Sequence, residues 1–197
     1  MDTKRKIGLF LVFYAIIGAM ALLFWNDVNT FDIQALGYIT SFQTHFLDNI
    51  FTSITFAGSI LFWVLMIVLF WASGNKKLST YLFIGIILEE LLTGAMKYGA
   101  MRPRPLNPVL EQFTPAFPSA HSARATLGAI LIKNYRFVFV PLMILVLISR
   151  LYLGVHYPSD ILFGVMNGIL IALVIKIIPE KKIEYYLTKF DKKLHMI

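Results

Sequence analysis

Long apolar runs separated by short clusters of basic or turn-forming residues dominate this chain. Several runs have the length of about 20 residues with which one helix crosses the roughly 30 Å hydrocarbon layer of a membrane. The pattern predicts an all-α polytopic membrane protein, a six-transmembrane-helix bundle with spans near residues 7–25, 51–71, 78–100, 119–132, 137–152 and 159–178. We expect residues 1–197 to form a single integral membrane domain without a separate soluble part.

Three segments depart from a simple succession of spans. Residues 26–49 carry apolar side chains at helical spacing, which predicts an amphipathic helix on the outer surface; these are Ala35, Leu36, Ile39, Phe42 and Phe46. Residues 101–118 are rich in proline and cannot form a continuous helix, so we expect an outer loop. The fourth span is too short to cross the whole layer, and we expect its N-terminus to lie below the outer surface.

The distribution of basic residues predicts the orientation. Lys4, Arg5 and Lys6 precede the first span, whereas residues 26–49 contain no Lys or Arg, which places the N-terminus in the cytoplasm. Six spans return the C-terminus to the same side, where the tail 179–197 is basic. That tail has an apolar stripe typical of a helix lying on the anionic inner leaflet, although a solvated tail is an equal alternative; the stripe is Ile183, Leu187, Phe190 and Leu194.

Composition and charge narrow the function classes. The chain is 58% hydrophobic with a mean hydropathy of +0.72, which exceeds what a soluble core of this size could bury. The formal net charge of +7 does not indicate a nucleic-acid partner, because the basic residues punctuate apolar runs instead of forming one polar surface. We therefore expect no nucleic acid and expect membrane lipids as partners. The absence of cysteine excludes disulfides, thiolate metal sites and cysteine nucleophiles.

A second group of charged residues lies on the outer half, where orientation gives no reason for them: Lys97, Arg102, Arg104, Arg124 and Arg150. Intramembrane charges cost a few kcal/mol each, so such a group predicts a functional site. Ser119 and His121 begin the fourth span, and His156 and Asp160 lie at the turn into the sixth. A basic pocket with two histidines, a carboxylate and a helix N-terminus is suited to a phosphate group.

These residue types also suit phosphoryl transfer without a metal or another cofactor. Asp160 follows His156 by four residues and can reach back to its ring, which fixes the tautomer and leaves the other ring nitrogen free to attack phosphorus. His121, when protonated, can give its proton to the leaving oxygen. The basic side chains and Ser119 can stabilise the charge of a five-coordinate phosphorus.

Three segments, in this order, resemble the signature of the type 2 phosphatidic acid phosphatase family: Lys97 with Arg104-Pro105, then Pro118-Ser119-Ala120-His121, then Ser149-Arg150 with His156 and Asp160. The resemblance implies a lipid phosphatase in which His156 is the nucleophile that forms a phosphohistidine, Asp160 its partner and His121 the general acid. Lys97, Arg104, Ser119 and Arg150 would bind phosphate. Ala120 stands where the family usually has Gly, which requires helical or extended backbone there.

The resemblance implies a lipid phosphate as substrate, with its tails between the spans and its headgroup in the outer pocket. We lean towards undecaprenyl or another polyprenyl diphosphate, because Arg102 and Arg124 could contact a second phosphate; for Arg124 a structural contact is an equal alternative. Phosphatidylglycerophosphate and phosphatidic acid are the alternatives, followed by a lipid phosphotransferase and then a transporter. Glu89 and Glu90 are interpreted as structural carboxylates. Small size suggests a prokaryotic plasma membrane, with the site on the extracytoplasmic face. The sequence contains no indication of an oligomeric state.

Overall fold

The computed structural model describes the backbone of residues 3–194 and the side chains of residues 3–189. This part of the chain is helical and contains no strand. Its α-helices are α1 (Thr3–Leu23), α2 (Trp25–Thr40), α3 (His45–Thr55), α4 (Ile60–Ala72), α5 (Lys76–Ala100), α6 (Ala120–Leu131), α7 (Arg136–Tyr152), α8 (Pro158–Ile175) and α9 (Glu180–Leu194). The predicted all-α class is confirmed, although the chain divides into more helices than six spans and one surface helix.

The predicted spans correspond to helices of unequal length. By length and apolar composition, α1, α5, α7 with its preceding turn, and α8 can each cross a membrane. The predicted second span is not one straight helix, because α3 and α4 meet at a 54° bend around a short 3₁₀ turn, Phe56–Gly58. Ser59 then caps α4 by accepting a hydrogen bond from the Phe62 backbone N–H. The fourth predicted span is α6, whose 12 residues are too few to cross alone, as the sequence indicated.

The predicted outer amphipathic helix is shorter than expected. Helix α2 ends at Thr40, so Phe42 lies in a turn and Phe46 lies in α3. The interruption has a local cause, since Thr44 adopts an extended backbone and its side chain accepts a hydrogen bond from the Leu47 backbone N–H as the N-cap of α3. The single apolar stripe that included both phenylalanines was therefore wrong, whereas Leu36 is buried as expected.

Helix α6 lies at the centre of the bundle and packs against α5, α7 and α8. All side chains from residue 122 to residue 129 are buried. Two glycines of α8 allow its backbone to approach α6, because a β-carbon at Gly164 would lie 2.4 Å from the Ser119 carbonyl oxygen and one at Gly168 would lie 2.5 Å from the Ala123 carbonyl oxygen. This is the close approach that small residues four apart allow between helices.

The tail is helical where the backbone is described. Ile183 of α9 is buried and Leu187 is half-buried. Lys77 of α5 forms an ion pair with Glu180 at 2.5 Å. The side chains of Phe190 and Leu194, which complete the predicted apolar stripe, lie outside the described part of the structure.

Candidate active site

The predicted site residues come together at one end of the central helices and in the loop between α5 and α6. Lys97 lies in the last turn of α5, Ser119 is the N-cap of α6 and Arg150 lies in the last turn of α7. His156 occupies the turn before α8, and Asp160 lies in the first turn of that helix. Residues separated by up to 63 positions in the sequence thus lie at the same end of the helix bundle.

His156 lies between a carboxylate and a guanidinium. Its Nδ1 is 3.4 Å from Asp160 Oδ2, and its Nε2 is 3.4 Å from Arg104 Nη1. Asp160 Oδ2 also accepts a 2.9 Å hydrogen bond from the Tyr157 backbone N–H, which fixes it at the start of α8. Both distances from the ring are long for hydrogen bonds.

The ring of His156 is held in its neutral form. Burial lowers its pKa well below the usual range, and the positive charges of Arg150, Arg104 and Lys97 lower the pKa further. A neutral imidazole has a free nitrogen lone pair, which a nucleophile or a base requires.

Two loop residues hold Arg104 and Lys97 side by side. Arg104 Nε donates to the Thr114 carbonyl oxygen at 2.7 Å and its Nη1 donates to the Val155 carbonyl oxygen at 2.6 Å. Lys97 Nζ donates to the Pro115 carbonyl oxygen at 2.6 Å, and Arg104 Nη2 reaches the same oxygen at 3.4 Å. Burial lowers the pKa of Arg104, while the charge of Asp160 opposes this effect.

Arg150 is buried with part of its hydrogen-bonding capacity unused. Its Nη1 donates to Thr55 Oγ1 at 2.7 Å, but its Nε and Nη2 have no hydrogen-bond partner among the described residues. The side chain is 1% exposed, so bulk water cannot satisfy these groups. Buried donors are almost always paired, and a planar guanidinium with two unused nitrogens is suited to the oxygens of an anion.

The N-terminus of α6 also belongs to this site, because the Ser119 backbone N–H donates to the Asp160 carbonyl oxygen at 3.0 Å. Ser119 Oγ accepts from the Ser122 backbone N–H at 3.3 Å and lies 2.9 Å from Ser122 Oγ. Ala120 is the first residue of α6, so its backbone is helical and the methyl group there is tolerated. His121 follows on the partly exposed side of the helix. A helix N-terminus with free backbone N–H groups attracts anions.

Arg102 and Arg124, predicted as contacts of a second phosphate, are each held by two carboxylates. Arg102 forms 2.7 Å contacts with Asp32 Oδ2 and with Asp160 Oδ1. Arg124 Nε lies 3.1 Å from Glu89 Oε2 and 2.6 Å from Glu90 Oε1, in agreement with the structural role expected for these glutamates. The geometry does not support the second-phosphate role of either arginine.

Three side chains of the site were not found from the sequence: Asp32, Thr55 and Thr114. Asp32 is the first fully buried carboxylate in the described chain and comes from α2, which the sequence identified only by its apolar stripe. A single acidic residue on a surface helix gives no local signal that it will meet Arg102. Among the described residues, no cluster of three or more His, Cys, Asp or Glu side chains could hold a metal ion.

Comparison with known proteins defines the class. Residues 78–184 match the PAP2 superfamily. This region covers more than half of the chain and contains Lys97, Arg104, Ser119, His121, Arg150, His156 and Asp160. The chain therefore belongs to the PAP2 superfamily, as the resemblance of its motifs predicted.

Individual relatives narrow the class further. The chain is 27% identical to phosphatidylglycerophosphatase B of Bacillus subtilis over 197 aligned positions, which cover 90% of this chain and 96% of that protein. A crystal structure of a transmembrane PAP2-type phosphatidylglycerolphosphate phosphatase from the same organism superimposes with a TM-score of 0.78 at 26% identity, over 89% of this chain and 96% of that one. Crystalline LpxE of Aquifex aeolicus, at 22% identity and a TM-score of 0.67, shares the fold over 73% of this chain and 93% of that one.

Another relative matches about half of the chain. Lipid A 1-phosphatase of Rhizobium etli is 32% identical over 108 positions, which are 46% of each protein. Taken together, these matches identify the protein as a multi-pass membrane lipid phosphatase of the PAP2 superfamily. Its hydrolase class and membrane location are those predicted from the sequence.

Proposed function

We propose that this phosphatase removes a single phosphate from a glycerophospholipid headgroup through a phosphohistidine on His156, without a metal. The observation that supports this most directly is Arg150, whose Nε and Nη2 are buried without partners beside a neutral histidine. An isolated buried charge is costly, so a site that retains one is built to receive an anion. The phosphate would also contact Lys97, Arg104 and Ser119.

Each of the two steps forms one bond to phosphorus, breaks another and transfers one proton. His156 Nε2 attacks phosphorus while its Nδ1–H faces Asp160, whose negative charge stabilises the cationic ring. The bond between phosphorus and the lipid oxygen breaks, and His121 gives its proton to that oxygen. His121 then takes a proton from water, which attacks the phosphohistidine and releases inorganic phosphate and free His156.

Phosphatidylglycerophosphate is the substrate that we now favour over a polyprenyl diphosphate. The diphosphate hypothesis depended on Arg102 and Arg124 binding a second phosphate, and both are engaged by carboxylates. The relative that covers most of the chain is named a phosphatidylglycerophosphatase. Phosphatidic acid, which also has one phosphate, is the next candidate.

An apolar groove next to the pocket would hold a lipid tail. It has a volume of about 670 Å³ and lies between α1, α5, α8 and the loop that leads to α6. Gly18, Met96 and Phe163 line it, together with Phe117, which lies two residues before Ser119. This size is within the range of ordinary ligand pockets, and the lining is suited to hydrocarbon.

Gly18 offers a way to fill the groove. A β-carbon at Gly18 meets no atom within 4 Å, so Gly18→Phe projects into open space. We expect the KM for a long-chain substrate to rise about tenfold, the cost of excluding part of an apolar chain, while a short soluble phosphomonoester is hydrolysed as before. Gly8→Phe, on the same helix and equally unobstructed, is the matched control. An unchanged KM in Gly18→Phe would remove the groove from the proposal.

The placement of the whole chain in the membrane is part of the proposal. Lys4, Arg5 and Lys6 before α1 support a cytoplasmic N-terminus, and the basic residues of α9 support a cytoplasmic C-terminus. The pocket then opens on the extracytoplasmic face of the plasma membrane. We treat residues 1–197 as one phosphatase domain.

The experiment measures phosphate release by purified protein in detergent with chelator present. The substrates are phosphatidylglycerophosphate, phosphatidic acid and undecaprenyl diphosphate, and the variants are His156→Ala and, as control, His45→Ala at an exposed position on α3. We expect the first substrate to be preferred, His156→Ala to be inactive and His45→Ala to resemble the wild type. An alkaline quench with labelled substrate should retain label on wild-type protein only.

Other outcomes have definite meanings. Activity of His156→Ala at the wild-type level would overturn the phosphohistidine mechanism. Loss of activity with chelator, restored by a divalent ion, would overturn metal independence. A phosphorylated acceptor in place of free phosphate would identify a phosphotransferase, and binding of lipid phosphate without any turnover would favour a transporter.

A further inference from the structure

A buried carboxylate outside the three sequence motifs is connected to the proposed catalytic pair, His156 and Asp160. Asp32 of α2 is fully buried and accepts a 2.7 Å contact from Arg102 Nη2. Arg102 Nη1 extends in the other direction to Asp160 Oδ1, also at 2.7 Å. Asp160 Oδ2 in turn faces His156. The four side chains form one continuous chain of charged contacts from a surface helix to the proposed nucleophile.

Asp32 also holds the first turn of α8. Its Oδ1 accepts the Ser159 backbone N–H at 3.0 Å, and the Ser159 hydroxyl contacts both Asp32 and Arg102. This turn carries Asp160 and directly follows His156. The carboxylate therefore fixes the backbone that positions the pair, in addition to its contact with Arg102.

Arg102 has little freedom to move. Its guanidinium lies 4.3 Å from the ring centre of Tyr157 and 5.2 Å from that of Trp25, so two aromatic rings flank it. With both ends of the guanidinium engaged by carboxylates, Arg102 determines where Asp160 Oδ1 points. The other oxygen, Oδ2, remains directed at the His156 ring.

We propose that Asp32 is a positioning residue for the hydrolysis, which acts on Asp160 and His156 through Arg102 and Ser159. This inference rests on the proposed phosphohistidine mechanism. Arg102 carries one positive charge and the two carboxylates carry two negative charges, so the trio has one net negative charge facing His156. Without Asp32, Arg102 would neutralise Asp160, and the imidazolium that forms during attack would lose much of its stabilisation.

The test compares Asp32→Asn with Arg102→Met. Asparagine keeps the size of the side chain and an acceptor for Ser159, whereas methionine removes the cation. We expect Asp32→Asn to lower kcat about 10- to 100-fold, the usual effect of an outer partner of a catalytic group. The KM should stay within about twofold, because neither side chain binds the phosphate.

The pH profile separates this role from a general loss of packing. The charged and titratable groups that face the His156 ring are Asp160, Arg150, Arg104, Lys97 and His121. Arg102 lies on the other side of Asp160, with Asp32 beyond it. Removing the negative charge of Asp32 should move the acid limb of kcat/KM to lower pH. Removing the positive charge of Arg102 should move it to higher pH, and the double variant should return towards the wild type with more activity than Arg102→Met alone.

Two further variants keep the test decisive. Ser79→Ala removes a buried hydrogen bond of 2.7 Å to the Ile67 carbonyl oxygen, 18 residues from Lys97 along α5, and should lower thermal stability without moving the acid limb. Ser159→Ala removes the shared hydroxyl without changing any charge and should lower kcat a few-fold, so it carries the test if Asp32→Asn does not fold.

The proposal is overturned if Asp32→Asn has wild-type kcat and acid limb, or if it behaves like Ser79→Ala. It is also overturned if the two single variants shift the limb in the same direction. An inactive His156→Ala alongside a normal Asp32→Asn would reject this inference alone. An active His156→Ala would instead reject the mechanism on which it rests.

Discussion

Two buried arginines of this bundle, Arg150 and Arg124, have opposite surroundings. Arg124 contacts Glu89 and Glu90, and its Nη1 donates to the Gly58 carbonyl oxygen at 2.7 Å. Among the described residues, Arg150 has the hydroxyl of Thr55 as its only hydrogen-bond partner and no carboxylate within ion-pair distance. From these partners we expect Arg124 to join helices and Arg150 to receive an anion.

The largest loss of activity among these variants is expected from Arg150→Met. Removing one donor to a developing oxyanion costs about 10²- to 10³-fold, so kcat/KM should fall by at least that factor. Thermal stability should be unchanged or higher, because an unpaired buried charge is removed. Enzyme kinetics and thermal unfolding in detergent check both parts. Arg150→Lys, which keeps the charge without the planar fork, should recover part of the activity.

Arg124→Met should instead lower the stability of the protein and leave its activity nearly unchanged. Glu89 would be left buried without its cation, which costs about 3–5 kcal/mol of unfolding free energy. The activity per folded molecule should be retained. Adding Glu89→Gln should restore much of the stability, and denaturant unfolding measures both. Loss of activity at unchanged stability would instead support the second-phosphate role predicted from the sequence.

The unpaired cations also predict a pH dependence. The pKa of His156 lies well below its usual value of about 6.5, so the ring stays neutral as the pH falls through that value. The acid limb of kcat/KM should therefore lie below pH 6.5, and in Arg150→Met it should move to higher pH. Since the unfolded chain takes up this proton first, unfolding free energy should fall below about pH 6.5. An acid limb above pH 7 in the wild type, or one that Arg150→Met leaves in place, would contradict this.

The smallest effect is expected at Ala120, beside the serine of the phosphate pocket. The residue is helical, so Ala120→Gly should lower the unfolding free energy by about 0.5–1 kcal/mol. We expect kcat to stay within about twofold, because Ser119 remains the cap of α6. A large gain in activity would show that the methyl group disturbs the site.

Local sequence patterns predicted most of the helices and the pocket. The apolar runs, the proline-rich loop and the short fourth span each depend on nearby residues, and their positions agree with α1, α5, α6, α7 and α8. The spacing of the motifs identified His156 and Asp160, and the structure places His156 Nδ1 3.4 Å from Asp160 Oδ2.

What local patterns could not predict was pairing between distant elements. The sequence predicted a phosphate contact for both Arg102 and Arg150. Only the fold shows that Asp32, 70 residues away along the chain, engages Arg102, whereas no carboxylate among the described residues pairs with Arg150. The bend at Gly58 and the end of α2 at Thr40 likewise depend on capping by Ser59 and Thr44, signals that the continuous apolar pattern concealed.

The contact between α6 and α8 also constrains how this enzyme can evolve. Gly164 lies against the carbonyl group of Ser119, so a mutation to any other residue there would displace Ser119, the N-cap of α6. In a library of random variants selected for growth, Gly164 and Gly168 should remain invariant with the motif residues, although neither has a side chain that could touch a substrate. We expect related sequences to vary on the lipid-facing surface while the contact between α6 and α8 stays unchanged.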